Sequence, residues 1–175
     1  KQPHLSTINF FDDSFLALPY ETLEKFCKLW KKEIKINFAV HGIIPNYVRE
    51  DKIALLVDAG MNQVRMGIQS GSENILEFYK RPTKLQRIEE GTKIFNKFRK
   101  YILPPVYDII LENPVETTED TRATIDMLYE MPRPYTLNIF ALRIIPNTGL
   151  AKDIEDRGLD VPSIKKSYIV DYQRT

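Results

Sequence analysis

Short apolar runs alternate along this chain with longer segments whose apolar residues recur every three or four positions, and the connections between them are brief. This alternation constrains the fold more than any other feature of the sequence. A strand, a helix and another strand in succession give parallel strands with right-handed crossovers. Residues 7–11, 36–40, 63–67, 106–111 and 136–144 read as five strands. After Pro19, the residues Leu23, Phe26, Cys27 and Trp30 share a helix face. A second helix starts from about Val48, buries Ile53, Leu56 and Val57, and stops at a Gly60 cap. Ser72 is placed to cap a short helix ending near Phe78. Thr83 and Gln86 have capping-box spacing ahead of Leu85, Ile88, Phe95 and Phe98. Thr117 or Thr118 opens a helix that buries Ile125 and Leu128, and a last helix covers 150–157. Five β/α units are too few to close an eight-stranded barrel. An open or partial barrel, or a Rossmann-like sheet, remains.

The bulk numbers narrow the class. With 175 residues, 43% hydrophobic and 28% charged, the chain can bury a core as one ordinary soluble domain. Its net charge of +1 supplies no global field for nucleic acid. No apolar run approaches the roughly 18 residues of a membrane span. The opening residues Lys1-Gln2-Pro3-His4 lack the apolar region of a signal peptide. Cys27 is the one cysteine, so no intrachain disulfide forms, and a reducing cytoplasm fits best. No initiator methionine is present, a strand begins within a few residues, and 165–175 offer no clear closing element. The chain therefore reads as a piece of a longer protein.

Ligands in parallel β/α architectures bind at the carboxyl ends of the strands. Several strand ends here are polar. Asp12 and Asp13 are adjacent carboxylates, which stay ionised together best beside a cation; otherwise they cap the next helix. Gln69 and Ser70 end the third strand in Gly67-Ile68-Gln69-Ser70-Gly71-Ser72. An amide that both donates and accepts suits sugar hydroxyls, and flanking glycines let a ligand approach the backbone. The plainer reading is a tight turn. Arg81, 12 residues beyond Gln69, either grips a carboxylate or sits on the surface. Asp108 lies inside an apolar strand, an expensive place unless it is paired or near the strand mouth. Asn138, Phe140 and Leu142 alternate to one face of the last strand. His4 and His41 are 37 residues apart without other ligands nearby, so a histidine-based metal site is not expected. His41 nevertheless ends the second strand at the same mouth. Arg143 faces either site or solvent, and Trp30 and Cys27 read as core.

Taken in order, these segments resemble the radical SAM superfamily, in particular its branch associated with a cobalamin-binding domain. The likeness is carried by Ile8 through Phe15, by Ala59-Gly60 leading to Gly67 through Ser72, and by Lys80-Arg81-Pro82-Thr83. Asp108 through Glu119 and Ile145 through Leu150 continue it. The resemblance implies a partial (β/α)6 TIM-like barrel of parallel strands. Residues 1–150 would supply strands two to six, and 151–175 a C-terminal helix and extension. It implies S-adenosylmethionine (SAM) and a 4Fe-4S cluster as cofactors, with cobalamin in the full-length protein of that branch. It further implies a flavodoxin- or ferredoxin-like electron donor and a small-molecule substrate. SAM would be cleaved reductively to a 5′-deoxyadenosyl radical. By the same resemblance Asp12 or Asp13 meets the SAM ammonium, Arg81 its carboxylate, Gln69, Ser70 and Asp108 the ribose, and Ile110 and Leu142 the adenine. One departure is decisive. The family's Cys-x3-Cys-x2-Cys loop is absent, and Cys27 cannot replace three thiolates. Either the loop and its strand precede Lys1, or this is a clusterless barrel that binds a nucleotide-like ligand or a protein.

Overall fold

The computed structural model describes residues 4–12, 14–81 and 83–159. Its strands are β1 (Thr7–Phe10), β2 (Asn37–Ile43), β3 (Met61–Gln69), β4 (Val106–Leu111) and β5 (Thr136–Ala141). They form one sheet, parallel throughout, in the order β1-β2-β3-β4-β5. The intervening helices are α1 (Tyr20–Leu29), α2 (Glu50–Asp58), α3 (Glu73–Phe78), α4 (Leu85–Lys97) and α5 (Thr118–Glu130), with α6 (Gly149–Asp156) after β5. Every crossover steps to the next strand in the same direction. With right-handed crossovers this puts the helices on one side of a curling sheet. A doubly wound sheet would reverse its order at the middle. The fold is therefore a partial barrel wall.

The burial pattern follows from that layering. Phe38, Val40, Val64, Met66, Ile68, Tyr107 and Ile109 are at most 1% exposed and face the helices. Leu23 and Cys27 of α1, Ile53 and Leu56 of α2, and Ile88 and Phe95 of α4 join them in one core. Each such large side chain contributes about 1.5–3 kcal/mol through burial. Phe10, Phe26, Trp30 and Phe38 pack ring against ring, with centroids 5.0–5.8 Å apart. The Trp30 indole donates to the Ile36 carbonyl at 2.8 Å, which satisfies its one polar atom.

Several local expectations need correcting. The Ser72 side chain does not cap α3, because its hydroxyl donates to Asp120 of α5 instead. Thr83 and Gln86 form no capping box. Lys84 is the N-cap residue of α4, and the Gln86 amide is spent on Glu90. Thr117 does cap α5, in a reciprocal box with Asp120. Ile125 is 59% exposed rather than buried. The turn of α5 about its axis is set by buried Asp120 and Thr124, which bond Ser72, Ser70 and Gly71. That anchorage leaves Ile125 facing outward. The stretch 165–175 lies outside the described residues. No helix among those described is long and apolar enough to cross a membrane.

Candidate functional site

The face of the sheet turned away from the helices is polar, and two irregularities shape it. Between Val40 and Ile43, β2 spends three residue steps against two on β3, with Gly42 at φ 68. Between Gly67 and Gln69, β3 spends two against one on β4, with Gln69 itself at φ 74. Bulges of this kind re-aim side chains next to functional sites. A positive φ at a non-glycine residue stores strain that the surroundings must hold in place. Both features fall on residues singled out by sequence, His41 and Gln69.

The Gln69 side chain folds back along its own strand. A Cβ placed on Gly67 would fall well inside 3.0 Å of the Gln69 Nε2. Gly67 is thus the floor on which the amide lies, and Gly67 is paired in register with Asp108. Gln69 and Asp108 therefore share one neighbourhood on the concave face. Asp108 is not solitary. The Arg65 Nε donates to both of its oxygens, at 2.8 and 2.9 Å, and the Asn138 amide donates to Oδ1 at 3.0 Å. These contacts settle the cost of a carboxylate inside an apolar strand. The guanidinium also lies over the Phe140 ring, 5.7 Å from its centroid. Ile110 is paired with Phe140 on the neighbouring strand, and Leu142 follows by alternation on the same side.

His41 borders this cluster. Its ring stacks on Phe11 at 4.5 Å with 10° between planes. Neither ring nitrogen is exposed, and neither has a hydrogen-bond partner among the described residues. Burial and the nearby Arg65 charge lower its pKa, with Asp108 opposing, so the imidazole is held neutral. Tyr79, Asn113 and Glu116 also carry buried atoms without partners among the described residues. Burial pushes the Tyr79 phenol up to about 12 and raises the Glu116 carboxyl above its usual range.

The remaining candidates have other surroundings. Ser70 is 1% exposed, and its hydroxyl bonds Thr124 Oγ1 and the Ser72 N–H, so it fastens the strand end to α5. Gly71 serves the same seam, since a Cβ there would meet the Thr124 backbone at 2.6 Å. Arg81 is exposed beyond α3, lining an open groove with Lys80, Lys84, Glu73 and Glu77. Asp12 is exposed just past β1, Arg143 is exposed after β5, and Asp13 lies outside the described residues. Arg65 was missed at the sequence level. Its signal was the alternation Gln63, Arg65, Gly67, Gln69 against apolar Val64, Met66 and Ile68.

The donor set does not fit an iron–sulfur cluster. Cys27 is 2% exposed in the core, and burial, aided by Asp58, pushes its thiol up to about 11. A cluster ligand must be a thiolate. Among the described residues no group of three or more His, Cys, Asp or Glu side chains is placed to hold a metal.

The family model for the Radical SAM superfamily matches residues 1–128, and the chain belongs to that superfamily. Solved structures similar to it include coproporphyrinogen III oxidase (HemN) from Escherichia coli, a radical SAM enzyme. That pair has TM-score 0.75 and 18% identity over 90% of this chain and 37% of HemN. The radical SAM methyltransferase TsrM from Kitasatospora setae, with cobalamin and a 4Fe-4S cluster bound, has TM-score 0.68 and 18% identity, covering 86% of this chain and 28% of TsrM. The archaeal Elp3 of Methanocaldococcus infernus gives TM-score 0.66 and 17% identity, covering 90% and 41%. At these identities the likeness shows the fold, and this chain spans well under half of each relative. No curated protein matches the sequence.

Proposed function

We propose that this chain is the SAM-facing wall of a radical SAM enzyme acting on a small molecule. The observation that carries the reading is the Gln69 amide laid over Gly67 beside Asp108, at a bulged strand end of a superfamily member. Gln69 offers donor and acceptor to the ribose hydroxyls. Among the described residues Asp108 Oδ2 takes only the Arg65 bond, which leaves a lone pair for one more donor. Ile110 and Leu142 would border the adenine, Arg81 the carboxylate, and Asp12 with Asp13 the ammonium. Ser70 contributes by holding the strand end. In the full-length protein SAM with a 4Fe-4S cluster would supply radical chemistry, and this chain's part would be to hold and orient SAM. The thiolates for that cluster are not among the residues of this chain. Cobalamin and a flavodoxin- or ferredoxin-like donor belong to the same reading of the full-length protein.

The test is anaerobic purification of the full-length protein, followed by assay of iron, sulfide and bound cobalamin. Reductant and SAM are then added and 5′-deoxyadenosine is measured. About four irons per chain with SAM cleavage are expected. The second reading is a clusterless barrel that binds a nucleotide-like ligand or a protein. SAM binding without iron or turnover would select it.

A further inference from the structure

The concave face holds hydrogen-bonding capacity that the SAM assignment does not use. Arg65 spends its Nε on Asp108, and its two terminal nitrogens make no hydrogen bond among the described residues. Its side chain is 31% exposed on the open face. His41, beside it, has both ring nitrogens enclosed and without partners among the described residues, so it offers a ligand ring surface rather than a hydrogen bond. Phe11 is 70% exposed and Phe140 42%, one ring stacked on His41 and the other beneath the guanidinium. Donors outnumber acceptors in this cluster, and apolar ring surface flanks it.

We propose that Arg65, His41, Phe11 and Phe140 form a substrate subsite for a small carboxylate with an aromatic or apolar body. The free edge of a guanidinium matches a carboxylate in planar, two-pronged fashion. Asp108 already neutralises one unit of charge there, so a monoanion is accommodated better than a dianionic phosphate. The exposed rings take the apolar body, which would otherwise leave them in water. This subsite deepens the proposed function and rests on it for the word substrate. The binding itself does not depend on turnover.

The experiment is ligand-observed saturation-transfer NMR on the full-length protein, with SAM present. The probes are 3-phenylpropionate, its uncharged amide, and phenyl phosphate. Wild type should bind the carboxylate at millimolar concentration and the amide and phosphate at least about tenfold more weakly. Arg65→Gln should remove the preference for carboxylate over amide; because Arg65 also steadies Asp108, SAM affinity is followed alongside by equilibrium dialysis. Should Arg65→Gln fail to fold, the double variant R65Q/D108N leaves no unpaired charge and tests the same preference against wild type, both without SAM. Equal binding of carboxylate and amide by wild type, or no binding of either, overturns the subsite. So does a parallel loss of SAM affinity with displacement of the probe by SAM, which would assign Arg65 to the SAM carboxylate. Absence of 5′-deoxyadenosine formation would remove the radical reading and leave these binding outcomes readable.

Discussion

Gly67→Ala and Gly71→Ala, four residues apart, should separate function from folding. Neither glycine has the positive φ that demands glycine, so space alone decides. At Gly67 a methyl group meets the far end of the Gln69 amide, which can swing away. The backbone entropy removed from the unfolded chain stabilises by about 0.4–1 kcal/mol, so folding stability should hold or rise slightly. The displaced amide no longer offers its hydrogen bonds at the strand end. A loss of about 1–1.5 kcal/mol corresponds to roughly tenfold weaker SAM binding. At Gly71 the methyl group meets backbone, the Thr124 Cα at 2.6 Å and the Ala123 carbonyl oxygen at 2.8 Å. A helix backbone cannot swing aside, and α5 must move off the strand end. That move also stretches the 2.9 Å bond from the Gly71 N–H to Thr124 Oγ1. A loss of about 1–3 kcal/mol is expected. Urea unfolding midpoints at constant slope measure the stability difference, and equilibrium dialysis the SAM affinity. Gly67→Ala with undiminished SAM binding would refute the role given to Gln69. Gly71→Ala as stable as wild type would refute the packing argument.

Arg65→Ala should cost about 1–3 kcal/mol in urea unfolding, held down by the partial exposure of the pair, and Arg65→Ala with Asp108→Asn should recover most of it; no recovery would mean that the cost lies in packing. The Glu116 carboxyl is raised by burial, so as pH climbs past its ordinary 4.5 the unfolded chain releases this proton first and folding loses stability. Glu116→Gln should therefore be more stable than wild type at neutral pH and equal to it well below pH 4.5; a difference constant across pH would sink the assignment. Cys27, with its thiol near 11, should resist thiol reagents in the folded protein at mildly alkaline pH and react on unfolding, whereas rapid labelling of folded protein would contradict its core placement.

Much of the architecture was legible in one dimension. Apolar spacing is a local property, so β4 was read to its last residue and the face Leu23, Cys27 and Trp30 was read correctly. Thr117 as a cap was also legible, because capping acts within one helical turn. What failed depended on a partner far along the chain. Ser72 and Thr83 have the chemistry of caps, but Asp120 claims the Ser72 hydroxyl from 48 residues away. Ile125 has helical spacing, but the rotation of α5 is set by the bonds of Thr124 to Ser70 and Gly71.

The candidate site divides along the same line. The sequence by itself determined the β/α order, the parallel sheet, the polar strand ends and the superfamily to which they belong. Only the tertiary structure turned Ser70 into the α5 seam while laying Gln69 over Gly67, two neighbours with opposite fates across one bulge. Only it joined Arg65 to Asp108 and Asn138, residues 43 and 30 positions apart from Asp108 that meet across three strands. A pattern of residue types states which side chains can bond. Strand register and bulges decide which of them are brought within reach, and both are set by packing over the whole sheet.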